Sequence, residues 1–190
     1  AGTRFADFRT VEETGSTNAD MVEILRTQDP SEDRRPAVLV AGHQSAGRGR
    51  RDRTWDAPPG SSLLMSIGLP VGDIDRSRWP LVNAAVALAA VDAAPDLRIK
   101  WPNDLVAVGA GPDGVDLKVG GILAELHEDL GGMGPCMIVG IGLNLNWGRM
   151  PSELAGTATS LDIILGGDVV ADVIVTDLLS RSTASGWGCS

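Results

Sequence analysis

Hydrophobic residues in this chain fall into short blocks separated by turn-forming stretches. Between residues 61 and 69, Leu63, Met65, Ile67 and Leu69 alternate with Ser62, Leu64, Ser66 and Gly68. A period of two predicts a strand. Residues 135–146 repeat the pattern, with Met137, Val139, Ile141, Leu143 and Leu145 opposite Ile138, Gly140, Gly142, Asn144 and Asn146. A strand face so bare marks close approach by a ligand or another part of the chain, and the two asparagines favour a ligand. Further strands are predicted over residues 5–11, 37–44, 98–101, 105–108 and 117–126. In the last of these, strict alternation would place Lys118, Gly120, Ile122 and Ala124 on one face.

Three stretches read as helical or nearly so. Ser16-Thr17-Asn18-Ala19-Asp20 precedes Met21, Ile24 and Leu25. Ser16 or Thr17 would cap this helix, with Asp20 in its first turn. Its free hydroxyl and N–H groups also suit a carboxylate or amide ligand. Residues 81–94 are alanine-rich and apolar nearly all round, which predicts a well-buried helix closed by Pro95. Residues 171–179 read as helix, although Val-Ile-Val suits a strand too, and 180–190 read as a small, polar tail. Gly109 to Gly114 fits G-x-G-x-x-G. A dinucleotide loop must open a helix, whereas here a proline lies inside the motif and a strand follows, so it is a hairpin loop. With no crossover helix between 104 and 126, the sheet is expected to be largely antiparallel.

Charge changes the picture at one place. The net charge is −9, yet residues 47–53 hold Arg48, Arg50, Arg51 and Arg53 with Gly47 and Gly49. An acidic protein lacks the broad basic surface of a nucleic-acid binder, so this loop predicts a local anion site. Arginine offers fixed bidentate donors for phosphate or carboxylate. The chain has 14 arginines but only two lysines, Lys100 and Lys118, which marks both as candidates for a compact ammonium. Cys136 and Cys189 form no disulfide framework, so a cytoplasmic setting is expected. The N-terminal residues show no leader pattern, and the longest apolar stretch is too short to span a bilayer.

Nucleophilic hydrolysis fits poorly. Gly42-His43-Gln44-Ser45-Ala46-Gly47 has the wrong spacing for a nucleophile elbow. Neither His43 nor His127 has an identifiable triad partner, and no zinc pattern or phosphate-binding G-x-x-x-x-G-K-[ST] loop is present. The remaining set suits activation of a carboxylate by a nucleotide. That reaction joins two anions, so it needs fixed cations and positioning rather than a general base. Arg48, Arg50, Lys100 and Lys118 are the candidate cations; Asn103, Asp104 and Asn144 are candidate polar or metal contacts.

Five blocks in order resemble biotin–protein ligases (biotin–[acetyl-CoA-carboxylase] ligases). They are Ser16-Thr17-Asn18, Gln44 to Arg51 with Trp55, Lys100-Trp101-Pro102-Asn103-Asp104, Lys118 to Leu123, and Gly140 to Asn144. The resemblance implies an α+β fold, with a mixed, largely antiparallel sheet flanked by helices mainly on one face, related to class II aminoacyl-tRNA synthetase catalytic domains. It implies that biotin and ATP give biotinyl-5′-AMP, and that a lysine of the biotin carboxyl carrier protein then takes the biotinyl group. By the same resemblance Ser16, Thr17, Asn18, Gln44, Gly47, Arg48, Gly49, Arg50, Lys118 and Gly120 would hold biotin. Arg48, Arg50, Trp55, Asn103, Lys118 and Asn144 would hold ATP or the adenylate, with Asn144 on Mg²⁺. Arg48, Lys100, Asp104 and Lys118 would be catalytic. The catalytic domain is expected over residues 1–165 and a tail over 166–190, with neither a DNA-binding helix-turn-helix nor an SH3-like terminal domain recognisable. A lipoate–protein ligase is the nearest alternative, and a nucleic-acid-binding module a remote one.

Overall fold

A computed structural model describes residue 5 and residues 7–29, 36–94, 96–132 and 134–184, with side chains to residue 180. Pro95, Cys189 and residues 30–35 lie outside the described residues. Seven strands form one sheet: β1 (Asp7–Thr14), β2 (Ala37–Gln44), β3 (Ser62–Pro70), β4 (Arg98–Lys100), β5 (Asp104–Ala107), β6 (Leu117–His127) and β7 (Cys136–Asn144). Their order is β1-β2-β3-β7-β6-β5-β4. Only β1–β2 is parallel, and the connection between these two strands contains a helix, as a parallel pair requires. The other pairs are antiparallel, including β5–β6 across the Gly109–Gly114 turn.

Alternation in β3 and β7 builds two layers. Leu63, Met65, Ile67, Met137, Val139, Ile141 and Leu143 face a core shared with α2 (Trp79–Ala93), α3 (Leu161–Leu165) and α4 (Ala171–Ala184). The opposite face carries α1 (Thr17–Arg26), whose Met21, Ile24 and Leu25 pack on Leu39 and Ile138. Helices thus lie mainly, but not solely, on one face. The far half of that second face, beyond α1, is left open for a site.

Four expectations need adjustment. β1 runs on beyond its predicted end at residue 11, through Glu12, Glu13 and Thr14, because it pairs with β2 as far as Gln44. α2 is not buried all round: Leu81 and Leu88 are more than half exposed. α4 extends through the predicted tail to Ala184, and Ile174, Val175 and Leu178 enter the main core, so apolar spacing at 174, 175 and 178 decides for helix over strand. The predicted phase of β6 also fails. Its register with β5 pairs Leu105 with Gly120 but Val106 with Lys118, so Val119 is an extra residue in a β-bulge. The bulge turns Lys118 to the face that bears Gly121, Leu123 and Glu125, while Val119 and Ile122 enter the core.

Candidate active site

A cavity of about 320 Å³ opens on the α1 side of the sheet. It is walled by the start of α1, the end of β2, the arginine loop, the turn at 102–104, and the faces of β6 and β7. Five cations line it (Arg48, Arg50, Arg51, Arg53 and Lys118) against one carboxylate, Asp104. In a protein of net charge −9, this is a local concentration of positive charge suited to anions.

One end of the cavity is a closed polar network. Gln44, at the end of β2, accepts through Oε1 from the Thr17 backbone N–H (2.7 Å) and from Thr17 Oγ1 (3.0 Å). Gln44 therefore caps α1 from another element. Ser16 occupies the N-cap position with no side-chain capping bond, contrary to the expected local cap. Ser66, reaching across from β3, donates to Asn18 Oδ1 (2.6 Å) and lies 2.8 Å from Thr17 Oγ1. Asn18 Nδ2 then donates to Glu125 Oε2 (2.6 Å). Thr17 and Asn18 are each 3% exposed, and buried polar groups are affordable only when bonded in this way.

The bare face of β7 makes this packing possible. A Cβ on Gly140 would lie 3.0 Å from Asn18 Cγ, and one on Gly142 would lie 2.6 Å from Trp55 Cε2. The glycines therefore admit an asparagine and an indole of the protein itself, which then form the cavity wall. Trp55 Nε1 is buried without a partner in the described structure.

The other end carries the charges. Lys118 Nζ sits 2.7 Å from Asp104 Oδ1 and 5.7 Å from the centre of the Trp55 ring. Its backbone is held from outside the sheet: Lys118 N–H donates to Thr157 O (2.9 Å), and Thr159 N–H donates to Lys118 O (2.8 Å). Arg50 donates to Asn103 Oδ1 (3.0 Å), and Arg48 donates to Glu125 Oε2 (3.1 Å). The loop tip is unfavourable as built. Arg51 and Asp52 adopt φ of 56° and 59°, left-handed values that cost a residue with a Cβ about 1–2 kcal/mol each.

Most of the expected site residues meet here. Ser16, Thr17, Asn18, Gln44, Arg48, Gly49, Arg50, Trp55, Asn103, Asp104 and Lys118 all line the cavity. Gly47 lines a second cavity on the outer side of the loop. Three are placed elsewhere. A Cβ on Gly120 would point toward Leu143 and Leu105, on the core side, because of the bulge; Gly121 takes the cavity position. Lys100 is exposed on β4, opposite Asp104. Asn144 is 6% exposed, donates to Thr159 O (3.0 Å) and faces Ser62 Oγ at 3.5 Å. Its amide ties the 157–159 segment that in turn holds Lys118. Ser66 and Glu125 are participants that sequence reasoning missed. Each is a polar residue within a strand, and its partner is visible only once α1 lies across the sheet.

Residues 14–144 match the biotin/lipoate A/B protein ligase family. The biotin–[acetyl-CoA-carboxylase] ligase of Mycobacterium tuberculosis is 35% identical over 169 residues, covering 85% of this chain and 57% of that protein. That of Paracoccus denitrificans is 36% identical over 140 residues, covering 70% and 52%. The chain thus spans somewhat more than half the length of these relatives. The structure of the Aquifex aeolicus biotin protein ligase in complex with biotin and ATP superposes with a TM-score of 0.73 at 28% identity, covering 95% of this chain and 70% of that one. With a family match over more than half its length, this chain belongs to the biotin/lipoate A/B protein ligase family.

Proposed function

We propose that this chain activates biotin with ATP and transfers it to a lysine of the biotin carboxyl carrier protein in the cytoplasm. The observation that carries the reading is one cavity with two unlike ends: a closed amide and hydroxyl network, and a cluster of cations on a glycine-hinged loop. The network end suits the neutral, hydrogen-bonding head group of biotin. The cationic end suits its carboxylate and the α-phosphate of ATP. Relatives named as biotin ligases, and a neighbour bound to biotin and ATP, support the same choice.

In the first step a carboxylate oxygen of biotin attacks the α-phosphorus. The bond from that phosphorus to the bridging oxygen breaks, and pyrophosphate leaves. Lys118, with Arg48 and Arg50, offsets the charge that accumulates as the two anions meet. In the second step the carrier lysine's amine attacks the acyl carbon, the bond to the phosphate oxygen breaks, and AMP leaves. In this reading Asp104, which lines the cavity, takes the amine's proton, and Lys100, exposed on β4, meets the incoming carrier.

Among the described residues no group of three or more His, Cys, Asp or Glu gathers to hold a metal. The Asn144 amide is engaged with Thr159 and Ser62. This donor set fits a Mg²⁺ that arrives on the nucleotide phosphates, neutralising them, rather than a resident ion.

The test is exchange of labelled pyrophosphate into ATP with biotin or lipoate as the acid. Exchange that depends on biotin is expected. Exchange with lipoate alone would replace biotin by lipoate in this reading.

A further inference from the structure

Hydroxyl and amide side chains can turn their hydrogens in more than one direction, and at the network end of the cavity a wholly buried serine decides which. Ser66 is 0% exposed. Thr17, Asn18 and Gln44 line the cavity, and Ser66 lies behind them on β3.

The directions follow from the groups that have no choice. Asn18 Nδ2 faces Glu125 Oε2 at 2.6 Å and Leu123 O at 3.4 Å. Carboxylate and carbonyl oxygens accept only, so Asn18 turns its NH₂ to them and its Oδ1 to Ser66. Ser66 Oγ lies 2.6 Å from that Oδ1 and spends its single hydrogen there. Ser66 Oγ also lies 2.8 Å from Thr17 Oγ1. Two hydroxyl oxygens at this separation share a hydrogen, and Ser66 has none left, so Thr17 supplies it. The rival acceptor, Gln44 Oε1, is farther away at 3.0 Å and already takes the Thr17 backbone N–H at 2.7 Å. With its hydrogen turned inward, Thr17 Oγ1 offers only lone pairs to the cavity.

We propose that Ser66 is a positioning residue that sets the direction of this chain of hydrogen bonds, so that the network end prefers a head group with an N–H at Thr17 to one with an oxygen there. Ser66 acts through Thr17 and Asn18. The inference deepens the function proposed above and rests on it: the cyclic urea of biotin carries N–H donors, whereas the dithiolane of lipoate has none.

The experiment is calorimetry of the parent, Ser66→Ala and Ser66→Cys with three acids: biotin and the two cyclic carbamates in which one or the other ureido N–H is replaced by oxygen. Ser66→Ala removes the acceptor that holds the Thr17 hydrogen. Ser66→Cys nearly keeps the shape but bonds poorly through sulfur. The parent should prefer biotin to at least one carbamate by about a hundred-fold, since that oxygen would face lone pairs. In both variants the biotin Kd should rise about ten-fold, the effect of one lost partner in a buried network. The preference for biotin should also shrink about ten-fold, because a freed Thr17 hydroxyl can turn and donate to the ring oxygen. ATP affinity should not change.

A preference that persists in both variants overturns the proposal, because the Thr17 hydrogen would then be held by Gln44. Equal binding of biotin and both carbamates by the parent overturns it too, as does a loss of ATP affinity equal to that for biotin, which would make Ser66 a support of the whole site. If Ser66→Ala does not fold, Ser66→Cys decides. A parent that binds no biotin refutes the proposed function and this inference with it; a parent that binds biotin while the preference persists refutes this inference alone.

Discussion

The two ends of the cavity are built on opposite principles. At the Gln44–Thr17–Ser66–Asn18 end, four side chains from three elements satisfy one another in buried space, and β7 omits a side chain at Gly140 to make room. At the arginine end, partly exposed cations rest on single partners and the backbone at Arg51–Asp52 is strained. The difference teaches a division of labour. Preorganised groups recognise without reordering, which spares binding the entropy of fixing them. Loosely held charges can instead follow charge as it develops, and exclude water when they close.

The largest expected effect breaks the charged end. Lys118→Ala should reduce biotin-dependent pyrophosphate exchange by about 10²–10³-fold, the usual effect of losing one well-placed electrostatic donor. Biotin binding measured by calorimetry should weaken far less than exchange, because the network end is untouched. Next, Gly140→Ala should break the preorganised end. Its methyl would press on the Asn18 amide, and overpacking of this sort costs about 1–3 kcal/mol. A lower melting temperature together with weaker biotin binding is expected; a loss of stability alone would detach Asn18 from recognition.

A smaller effect sharpens the contrast from the other side. Arg51→Gly should remove a left-handed strain worth about 1 kcal/mol, against the extra freedom glycine gives the unfolded chain. The net change in melting temperature should be slight, and exchange activity should stay near that of the parent if Arg51 is solvated rather than ligand-bound. The smallest effect lies outside both ends. Burial pushes the Asp162 carboxyl up, but bonds from the Ser160 hydroxyl and the backbone N–H groups of Gly148, Trp147 and Ile163 outweigh it, and the net shift is downward from 3.8. A depressed carboxyl stabilises the fold above its unfolded value, and the benefit is lost as pH falls through the folded one. Stability of the parent should therefore fall below about pH 4 more than that of Asp162→Asn, as denaturant titrations at pH 3 and pH 6 would measure.

Much of this contrast was legible in the sequence. Period-two alternation placed β3 and β7 and divided their faces correctly, because both strands pair over nine residues without a register break. The bare face of β7 was recognised, but its occupants were not: the space goes to Asn18 and Trp55 of the protein itself. Alternation failed in β6, where one inserted residue at the bulge moved Lys118 and Gly120 to opposite sides. That slip depends on pairing with β5, which no local pattern encodes. Glu125 was missed for a related reason. Its meaning comes from Asn18 and Arg48, 107 and 77 residues away, and neither spacing is periodic. The arginine loop was conspicuous because four like charges gather in a short glycine-bearing stretch.

Amide hydrogen exchange, with and without biotin plus a non-hydrolysable ATP analogue, tests the division of labour most directly. Thr17 to Asp20 and Gln44 should exchange slowly in the free chain and change little on ligand addition. Residues 47–55 should exchange fast when free and slow markedly when both ligands are bound. Equal protection of the two ends in the free chain, or slowing at Thr17 to Asp20 with no change at 47–55, would contradict the account.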